Sequence, residues 1–252
     1  MLKNEISVGR RVIFKESLSC HILPGKFGEL VDSEVYSKIF SFWKQQWEPV
    51  MRSVGKADSL HSDEFLRQFE IIALSYESDV VGVLGLDLFD LDNPIHLSHS
   101  YFSWLNEVER KIFHNFGFSF IINQLAVSKL WRGGFGAADL LVGLAVKRME
   151  NSPFQRCVCY TRNQKKTDSL AHRWGARPIL TGQLVHNEPS TYFEFEKNCY
   201  SNTDHPLKTM VEDLWSKAAI QGDINLNKRI PNKNSLNRSI KKGEIYDKDI
   251  DL

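Results

Sequence analysis

The sequence predicts an α/β domain built around a mixed β-sheet, and two stretches carry that prediction. Apolar runs at Glu70–Tyr76 and at residues 80–89 flank a polar turn, which is the pattern of a β-hairpin. A third apolar run, Phe118–Val127, leads through a glycine-rich turn into apolar residues at three- and four-residue spacing up to Met149. Strand, glycine turn and helix therefore form one unit, and the rest of the chain is placed around it.

The N-terminal third of the chain predicts short strands followed by one long helix. Residues 6–14 indicate a first strand, and residues 18–23 indicate a second short piece before a Pro-Gly turn. A helix is expected to begin at Asp32 or Ser33, to carry an aromatic stripe, and to stop near Pro49. Residues 54–63 are polar and predict a loop.

Between the hairpin and the third apolar run, residues 96–116 show apolar side chains at helical spacing. They predict an inserted helix. Two interpretations stay open: the helix covers the sheet, or it encloses an acceptor site.

The C-terminal part continues the alternation of strands and helices. A strand is expected at residues 156–161, a helix at 164–174 closed by Gly175, and strands at 178–185 and 191–196. A helix of about 15 residues is expected after Pro206. We predict one domain over residues 1–221. Residues 222–252 are rich in Asn and Lys and predict a disordered polar tail.

Composition limits the classes of function. The chain has 252 residues, a formal net charge of +1 and 42% apolar residues, so it can bury a core and has no overall field for nucleic acid. No run of 18 apolar residues is present, so we expect no membrane span and a cytoplasmic protein. The four cysteines lack zinc-ligand spacing, so we predict reduced core thiols and no metal.

The glycine turn that opens the predicted helix is a candidate anion site. The first N–H groups of a helix have no internal partner, and the helix dipole adds positive charge there. Glycines let the backbone approach a ligand closely, and Arg132 adds a cation suited to phosphate. The turn has no P-loop ending, and it lacks the third glycine and the acidic residue of the dinucleotide fingerprint. A diphosphate of another kind fits better.

The segment L-A-V-x-x-x-x-R-G-G-F-G-A-A-x-L-L, residues 125–141, resembles the acyl-CoA-binding motif of the GNAT superfamily of acyltransferases. The next unit, a strand followed by Asn163 and a helix ending at Gly175, is similar to the family's following element. The resemblance implies a mostly antiparallel central sheet flanked by helices, with extra N-terminal and inserted helices in this chain. It covers roughly residues 69–196.

The resemblance also implies a donor, an acceptor and a site. The donor would be acetyl-CoA, leaving coenzyme A, and the acceptor a small-molecule amine. Donor-binding residues would lie on the strand, in the turn and at the start of the next helix: Leu125, Ala126, Val127, Arg132, Gly133, Gly134, Phe135, Gly136, Ala137 and Asn163.

A catalytic acid or base is harder to assign. Many GNAT members place a Glu on the CoA-binding strand, where this chain has Asn123 and Gln124. The Tyr that often precedes the closing glycine by four residues is replaced by Ala171, with His172 beside it. We predict His172 as general acid or base, with the hairpin carboxylates, Asp87 among them, as weaker candidates.

Two alternatives stay open. Trp43, Trp47 and Asp63-Glu64-Phe65 resemble the order found in acyl-homoserine-lactone and N-acyl amino acid synthases of the same superfamily, which take long acyl chains from an acyl carrier protein. The other alternative is a catalytically inactive module that keeps the fold and binds a ligand.

Overall fold

A computed structural model of the chain describes residues 5–8, 11–25, 32–53, 60–133, 136–165, 167–185 and 187–221, with backbone alone for residues 5–8, 11–15 and 164. The polar tail predicted for residues 222–252 lies outside the described residues, as do Gly134 and Phe135 of the glycine turn.

The described elements alternate along the chain much as the apolar periodicity predicts. The strands are β1 Glu5–Val8, β2 Arg11–Phe14, β3 Leu18–Pro24, β4 Glu70–Tyr76, β5 Asp79–Asp90, β6 Phe118–Val127, β7 Arg156–Arg162, β8 Arg177–Val185, β9 Glu188–Glu196 and β10 Ala219–Ile220. The α-helices are α1 Ser33–Ser53, α2 Ser62–Leu66, α3 Pro94–Leu97, α4 Glu107–Arg110, α5 Ala137–Glu150, α6 Thr167–Arg173, α7 Cys199–Asn202 and α8 Lys208–Ser216.

Eight of these strands form one sheet in the order β10-β3-β4-β5-β6-β7-β9-β8. Its pairs are antiparallel except β10 with β3 and β6 with β7. The parallel β6–β7 pair follows from the crossover helix α5, which carries the chain back along the sheet. The predicted mixed, mostly antiparallel sheet is thereby confirmed.

Helices cover both faces of the sheet, which explains the almost continuous apolar runs of β4 and β5. On one face, Trp43 of α1 and Phe65 of α2 pack with Ile71 and Val83. Because side chains alternate along a strand, Ile72 points to the opposite face, which α5 covers. We call these the α1 face and the α5 face.

The segment 94–113, here called the insert, corrects the prediction of one inserted helix. It consists of α3, a 3₁₀ turn at Ser100–Phe102, α4, and a second 3₁₀ turn at Lys111–Phe113. Asn93, His99 and Asn106 each accept a backbone hydrogen bond at the start of a short piece, so the chain restarts rather than continuing as one helix. Its buried side chains pack on the α1 face near β6, β7 and β9, and these include Leu97, Phe102, Leu105 and Phe113.

Other differences in element boundaries are smaller. Helix α1 continues through Pro49 to Ser53, because a proline so near the end of a helix removes one hydrogen bond without preventing the last turn. The expected first strand is two strands, β1 and β2, paired as a hairpin. Residues 54–59 of the loop expected at 54–63 lie outside the described residues, and Ser62 already begins α2. The helix after Pro206 has nine residues rather than about 15. Among the described residues, no helix is long and apolar enough to cross a membrane.

Candidate active site

Strands β6 and β7 pair over only part of their length. Their parallel register joins Ser119–Ile121 to Arg156–Val158. Beyond these residues β6 runs on to Val127 and β7 to Arg162, yet no further register pair joins them in the described part of the chain. The two strands therefore separate and leave a gap lined by backbone groups that a sheet would normally pair.

A β-bulge in β6 lies beside this gap. The β5–β6 register steps from Val83↔Ala126 to Gly85↔Asn123, so Leu84 faces both Gln124 and Leu125. Gln124 has a φ of +51°, an uncommon conformation for a residue other than glycine. The indole Nε1 of Trp47 donates to the Gln124 carbonyl at 3.3 Å, so α1 holds the bulge in place.

The alternation of backbone hydrogen bonds shows which groups of β6 face the gap. The Ser128 N–H donates to Val81 O on β5, so Ala126, two residues earlier, also directs its backbone to β5. Leu125 and Val127 therefore direct their backbone groups toward the gap. The sequence predicted that Leu125, Ala126 and Val127 bind a donor. The backbone groups of Leu125 and Val127 face the gap and those of Ala126 face β5, and donor binding itself stays a prediction.

The glycine turn connects the end of β6 to the start of α5, as predicted. Gly133 has a φ of +94°, which favours glycine. A Cβ on Gly136 would lie 2.8 Å from the carbonyl oxygen of Trp131, so the turn can close only with glycine at this position. Ala137 begins α5, and Asp139 in its first turn accepts a long 3.4 Å hydrogen bond from the Gly136 N–H. Arg173 of α6 pairs with the Asp139 carboxylate at 2.7 Å and offsets its charge.

Arg132 lies at the open end of the gap. Its Nε donates to Val127 O at 2.9 Å, and one Nη donates to Gln46 Oε1 of α1 at 3.4 Å. The guanidinium is exposed to solvent. These contacts hold a cation next to the glycine turn, and its predicted role in binding a diphosphate stays a prediction.

Asn163 and His172 lie beyond the other strand of the gap. Asn163 follows the end of β7, is exposed, and accepts a hydrogen bond from Thr191 Oγ1 at 3.2 Å. His172 is exposed on α6, with its ring edge-on to Phe193 at 4.8 Å between centroids. Phe193 is the neighbour along β9 of Tyr192, which faces the insert, so the His172 ring lies on the α5 face. The role of His172 as acid or base stays a prediction.

The insert supplies a phenol to the gap, and no sequence motif predicted it. Along β7, Gln155 O accepts from Lys197 N–H beyond β9, so Tyr160 directs its N–H away from β9, toward the gap. The hydroxyl oxygen of Tyr101 accepts that N–H at 2.8 Å, and Tyr192 Oη donates to the Tyr101 carbonyl at 3.1 Å. Burial raises the pKa of Tyr101 well above its usual value, so this hydroxyl stays protonated.

Asp87 of β5 is the carboxylate that the structure brings nearest to the bulge among the hairpin candidates. It is 6% exposed and accepts a hydrogen bond from Asn123 Nδ2 at 2.8 Å. Burial raises its pKa to about 6, against the opposing effects of Arg67 and of the Asn123 hydrogen bond. Sequence reasoning ranked Asp87 low, because its surroundings include Glu64, Arg67 and Asn123, which no local pattern brings together.

Cysteine and metal chemistry find no support in the described residues. Cys20, Cys157 and Cys159 are buried and Cys199 is partly buried, all four as free thiols. Burial raises the pKa of the Cys20 and Cys159 thiols to about 12, which removes their nucleophilicity at neutral pH. The described part of the chain contains no group of three or more His, Cys, Asp or Glu side chains arranged to hold a metal ion.

Comparison with known proteins supports the fold. The sequence matches no protein-family model and no curated protein. FeeM, an N-acyl amino acid synthase from uncultured soil microbes, superposes with a TM-score of 0.51 at 12% identity, over 76% of this chain and 97% of FeeM. An agmatine N-acetyltransferase gives 0.49 at 13% identity over 71% and 99%, and the AHL synthase LasI gives 0.48 at 12% over 71% and 88%. The chain has the GNAT fold, and its structural neighbours are acetyl- and acyltransferases of that fold.

Proposed function

We propose that this protein is an N-acyltransferase that moves an acyl group from a coenzyme A thioester to an amine by direct attack. The observation that carries the proposal is the gap between β6 and β7, which opens beside a bulge and ends at the first turn of α5. An extended thioester arm fits between separated strands, and a diphosphate fits a helix N-terminus.

The donor would bind through backbone groups of β6 and through two side chains, the Arg132 cation and the Asn163 amide. Leu125 and Val127 would pair with the amides of the pantetheine arm in the manner of a β-strand. Arg132 would face the diphosphate, and Asn163 would hydrogen-bond the arm from the β7 side. The turn itself would contribute the N–H groups predicted from the sequence, those of Gly133, Gly134, Phe135, Gly136 and Ala137.

The reaction requires the protein to hold the amine next to the thioester and to stabilise the charge that develops on the carbonyl oxygen. The amine nitrogen attacks the thioester carbonyl, a tetrahedral oxyanion forms, and the C–S bond then breaks. Backbone N–H groups next to the Gln124 bulge are fixed by the Trp47 hydrogen bond and would stabilise the oxyanion. The Tyr101 hydroxyl, which is held at Tyr160 in the gap, is a neutral donor for developing negative charge there.

A second candidate is synthesis of an N-acyl amino acid from a long acyl chain on an acyl carrier protein. The superposition on FeeM favours it, as does the aromatic wall of α1 formed by Phe40, Trp43 and Trp47. Under this alternative the pantetheine arm would occupy the same gap, and the acyl chain would be longer than an acetyl group.

Thermal shift with coenzyme A, acetyl-CoA and a long-chain acyl-CoA tests the proposal, because a ligand that binds the folded state raises its apparent stability. A parallel assay measures thiol release with a panel of amines. Stabilisation by acetyl-CoA with thiol release supports the first candidate, and preference for the long chain supports the second. Stabilisation without turnover on any amine would indicate an inactive binding module, and no stabilisation by any of the three ligands would contradict the site itself.

A further inference from the structure

Asp139 is a buried carboxylate in the first turn of α5, directly after the glycine turn. It is 1% exposed, and its Oδ2 accepts the long 3.4 Å hydrogen bond from the Gly136 N–H. Arg173 of α6 holds the other oxygen: its Nε donates to Asp139 Oδ1 at 2.8 Å, and its Nη2 lies 2.7 Å from the same atom. One carboxylate oxygen therefore faces a cation, and the other faces an N–H group of the candidate diphosphate site.

The imidazole of His205 lies against the same carboxylate without adding charge to it. Its Nδ1 accepts the Leu207 N–H at 3.1 Å, so the neutral ring carries its proton on Nε2, which lies 3.4 Å from Asp139 Oδ1. The ring stacks on Trp174 at 4.0 Å between centroids. Burial lowers the pKa of His205, against the opposing effect of Asp139, so the ring is neutral at neutral pH. The Asp139–Arg173 pair therefore has a net charge close to zero.

The packing of α6 on α5 fixes this pair beside the glycine turn. The indole of Trp174, the residue after α6, fills the space next to Gly143 of α5, where a Cβ would lie 2.4 Å from it. Arg173 is partly exposed, and its Nη1 donates to Ser169 Oγ at 3.2 Å. Neither helix can shift away from the other without breaking these contacts, so the carboxylate and the guanidinium stay close to the turn.

A carboxylate inside an anion site has a direct electrostatic consequence. A negative charge beside the first turn of a helix opposes a second anion there, and a cation bonded to the carboxylate offsets that effect. We propose that the Asp139–Arg173 pair sets the affinity for the coenzyme diphosphate. Asp139 repels the diphosphate and competes with it for the Gly136 N–H, and Arg173 limits both effects.

The inference rests on the proposed function and adds to it a role in product release. The acyl donor and the product coenzyme A carry the same diphosphate, so tighter binding of that group stabilises donor and product alike and does not speed the chemical step. A carboxylate that weakens diphosphate binding lets the product leave, while the gap between β6 and β7 still holds the thioester arm.

The two partners of this ion pair should have opposite effects on coenzyme A binding. Asp139→Asn keeps the size of the side chain and removes its negative charge, so the affinity should rise by about 10-fold. Arg173→Gln leaves the carboxylate charge without its cation and should lower the affinity by about 10-fold. The double variant has the net charge of the wild type and should bind with nearly wild-type affinity. A merely structural pair would lose affinity in all of these variants.

Glu212→Gln is the matched control for the change in charge. Glu212 Oε1 accepts a hydrogen bond at 3.0 Å from Nζ of Lys147, which lies in the last turn of α5, so this variant also removes one negative charge from an ion pair of that helix. Lys147 lies about 12 Å along α5 from Asp139, which is more than one Debye length at physiological salt. Coenzyme A affinity in Glu212→Gln should equal that of the wild type.

Calorimetry with coenzyme A measures these affinities, and inhibition of acyl transfer by added coenzyme A should follow the same order. Melting temperatures show whether each variant is folded. Should Asp139→Asn fail to fold, Arg173→Lys replaces it in the comparison, because Lys keeps the charge and should bind coenzyme A more tightly than Arg173→Gln does.

Affinities that fall in both single variants, or that change in neither, overturn this inference alone when the wild type binds coenzyme A. Equal affinities in Arg173→Lys and Arg173→Gln have the same meaning. A rise in Glu212→Gln as large as that in Asp139→Asn also overturns it, because the net charge of the protein would then explain the effect. A wild type that does not bind coenzyme A overturns the proposed function together with the inference.

Discussion

Two buried carboxylates on neighbouring strands, one on each face of the sheet, have opposite surroundings. On the α5 face, Glu70 of β4 is fully buried, and Arg148 donates to its two carboxylate oxygens from Nε at 2.8 Å and from Nη2 at 2.7 Å. On the α1 face, Asp87 of the neighbouring strand has an amide for a partner, and oxygens without donors lie beside it. The first arrangement pairs its two charges and supports the fold, whereas the second leaves buried oxygens without a hydrogen-bond donor.

Breaking the pair on the α5 face is expected to have the largest effect. Glu70→Gln leaves the Arg148 charge buried without a carboxylate, and we expect a loss of about 3–5 kcal/mol in the free energy of unfolding. Urea denaturation at pH 7 measures it. The double variant Glu70→Gln with Arg148→Met should recover much of that loss, because it removes both buried charges. A single variant as stable as the wild type would contradict the contrast between the faces.

Relieving the strain on the α1 face should act in the other direction. The pKa of Asp87 is raised by burial from 3.8 to about 6, so its ionised form destabilises the folded protein by about 3 kcal/mol above pH 6. Asp87→Asn should therefore gain up to about 3 kcal/mol at pH 8 and lose this advantage as the pH falls from 6 toward 4, where Asp87 itself takes up a proton. Denaturation curves across that pH range measure the difference, and a destabilised variant at pH 8 would show that Asp87 has a supporting role.

The same contrast explains which features the sequence could predict. Strands β4, β5 and β6 and helix α5 follow apolar periodicity, because they are buried on regular faces, and their predicted positions agree with the structure. The insert has the same periodicity but is broken by side-chain caps at Asn93, His99 and Asn106, so spacing alone predicted a single helix wrongly.

The sequence predicted parts of the candidate site only where the backbone requires a particular residue type. Glycine at position 136 is visible in the sequence and is required by the close approach of the Trp131 carbonyl. The surroundings of Asp87 and Tyr101 come from elements distant in sequence; Tyr101, for example, contacts Tyr160 across 59 positions. No local pattern marks either residue, so both were missed or ranked low.

A smaller effect is expected from removing the phenol that the insert contributes. Tyr101→Phe leaves the Tyr160 N–H without its acceptor and should cost about 1–2 kcal/mol of stability. Tyr192→Phe is the matched control, since it removes from the same cluster a hydroxyl whose described hydrogen bond is to the Tyr101 carbonyl. Both variants should lose similar stability in urea denaturation, while kcat for acyl transfer should fall about 10- to 100-fold in Tyr101→Phe alone. Equal rates in the two variants would remove Tyr101 from the proposed chemistry.

The smallest change in stability is expected at the first turn of α5, and it separates binding from folding. Ala138 is half-buried in that turn, and a Glu there interacts favourably with the helix dipole, so Ala138→Glu should add about 0.5 kcal/mol to the stability of the ligand-free protein. The same carboxylate would repel a diphosphate at the glycine turn, so coenzyme A affinity measured by calorimetry should fall by about 100-fold. Thr209→Glu places the same side chain at the second residue of α8 and should bind coenzyme A as the wild type does. If Ala138→Glu is as stable as the wild type or more so, its loss of coenzyme A affinity reflects charge at the binding site and not unfolding. Unchanged affinity would show that the diphosphate does not bind at this turn.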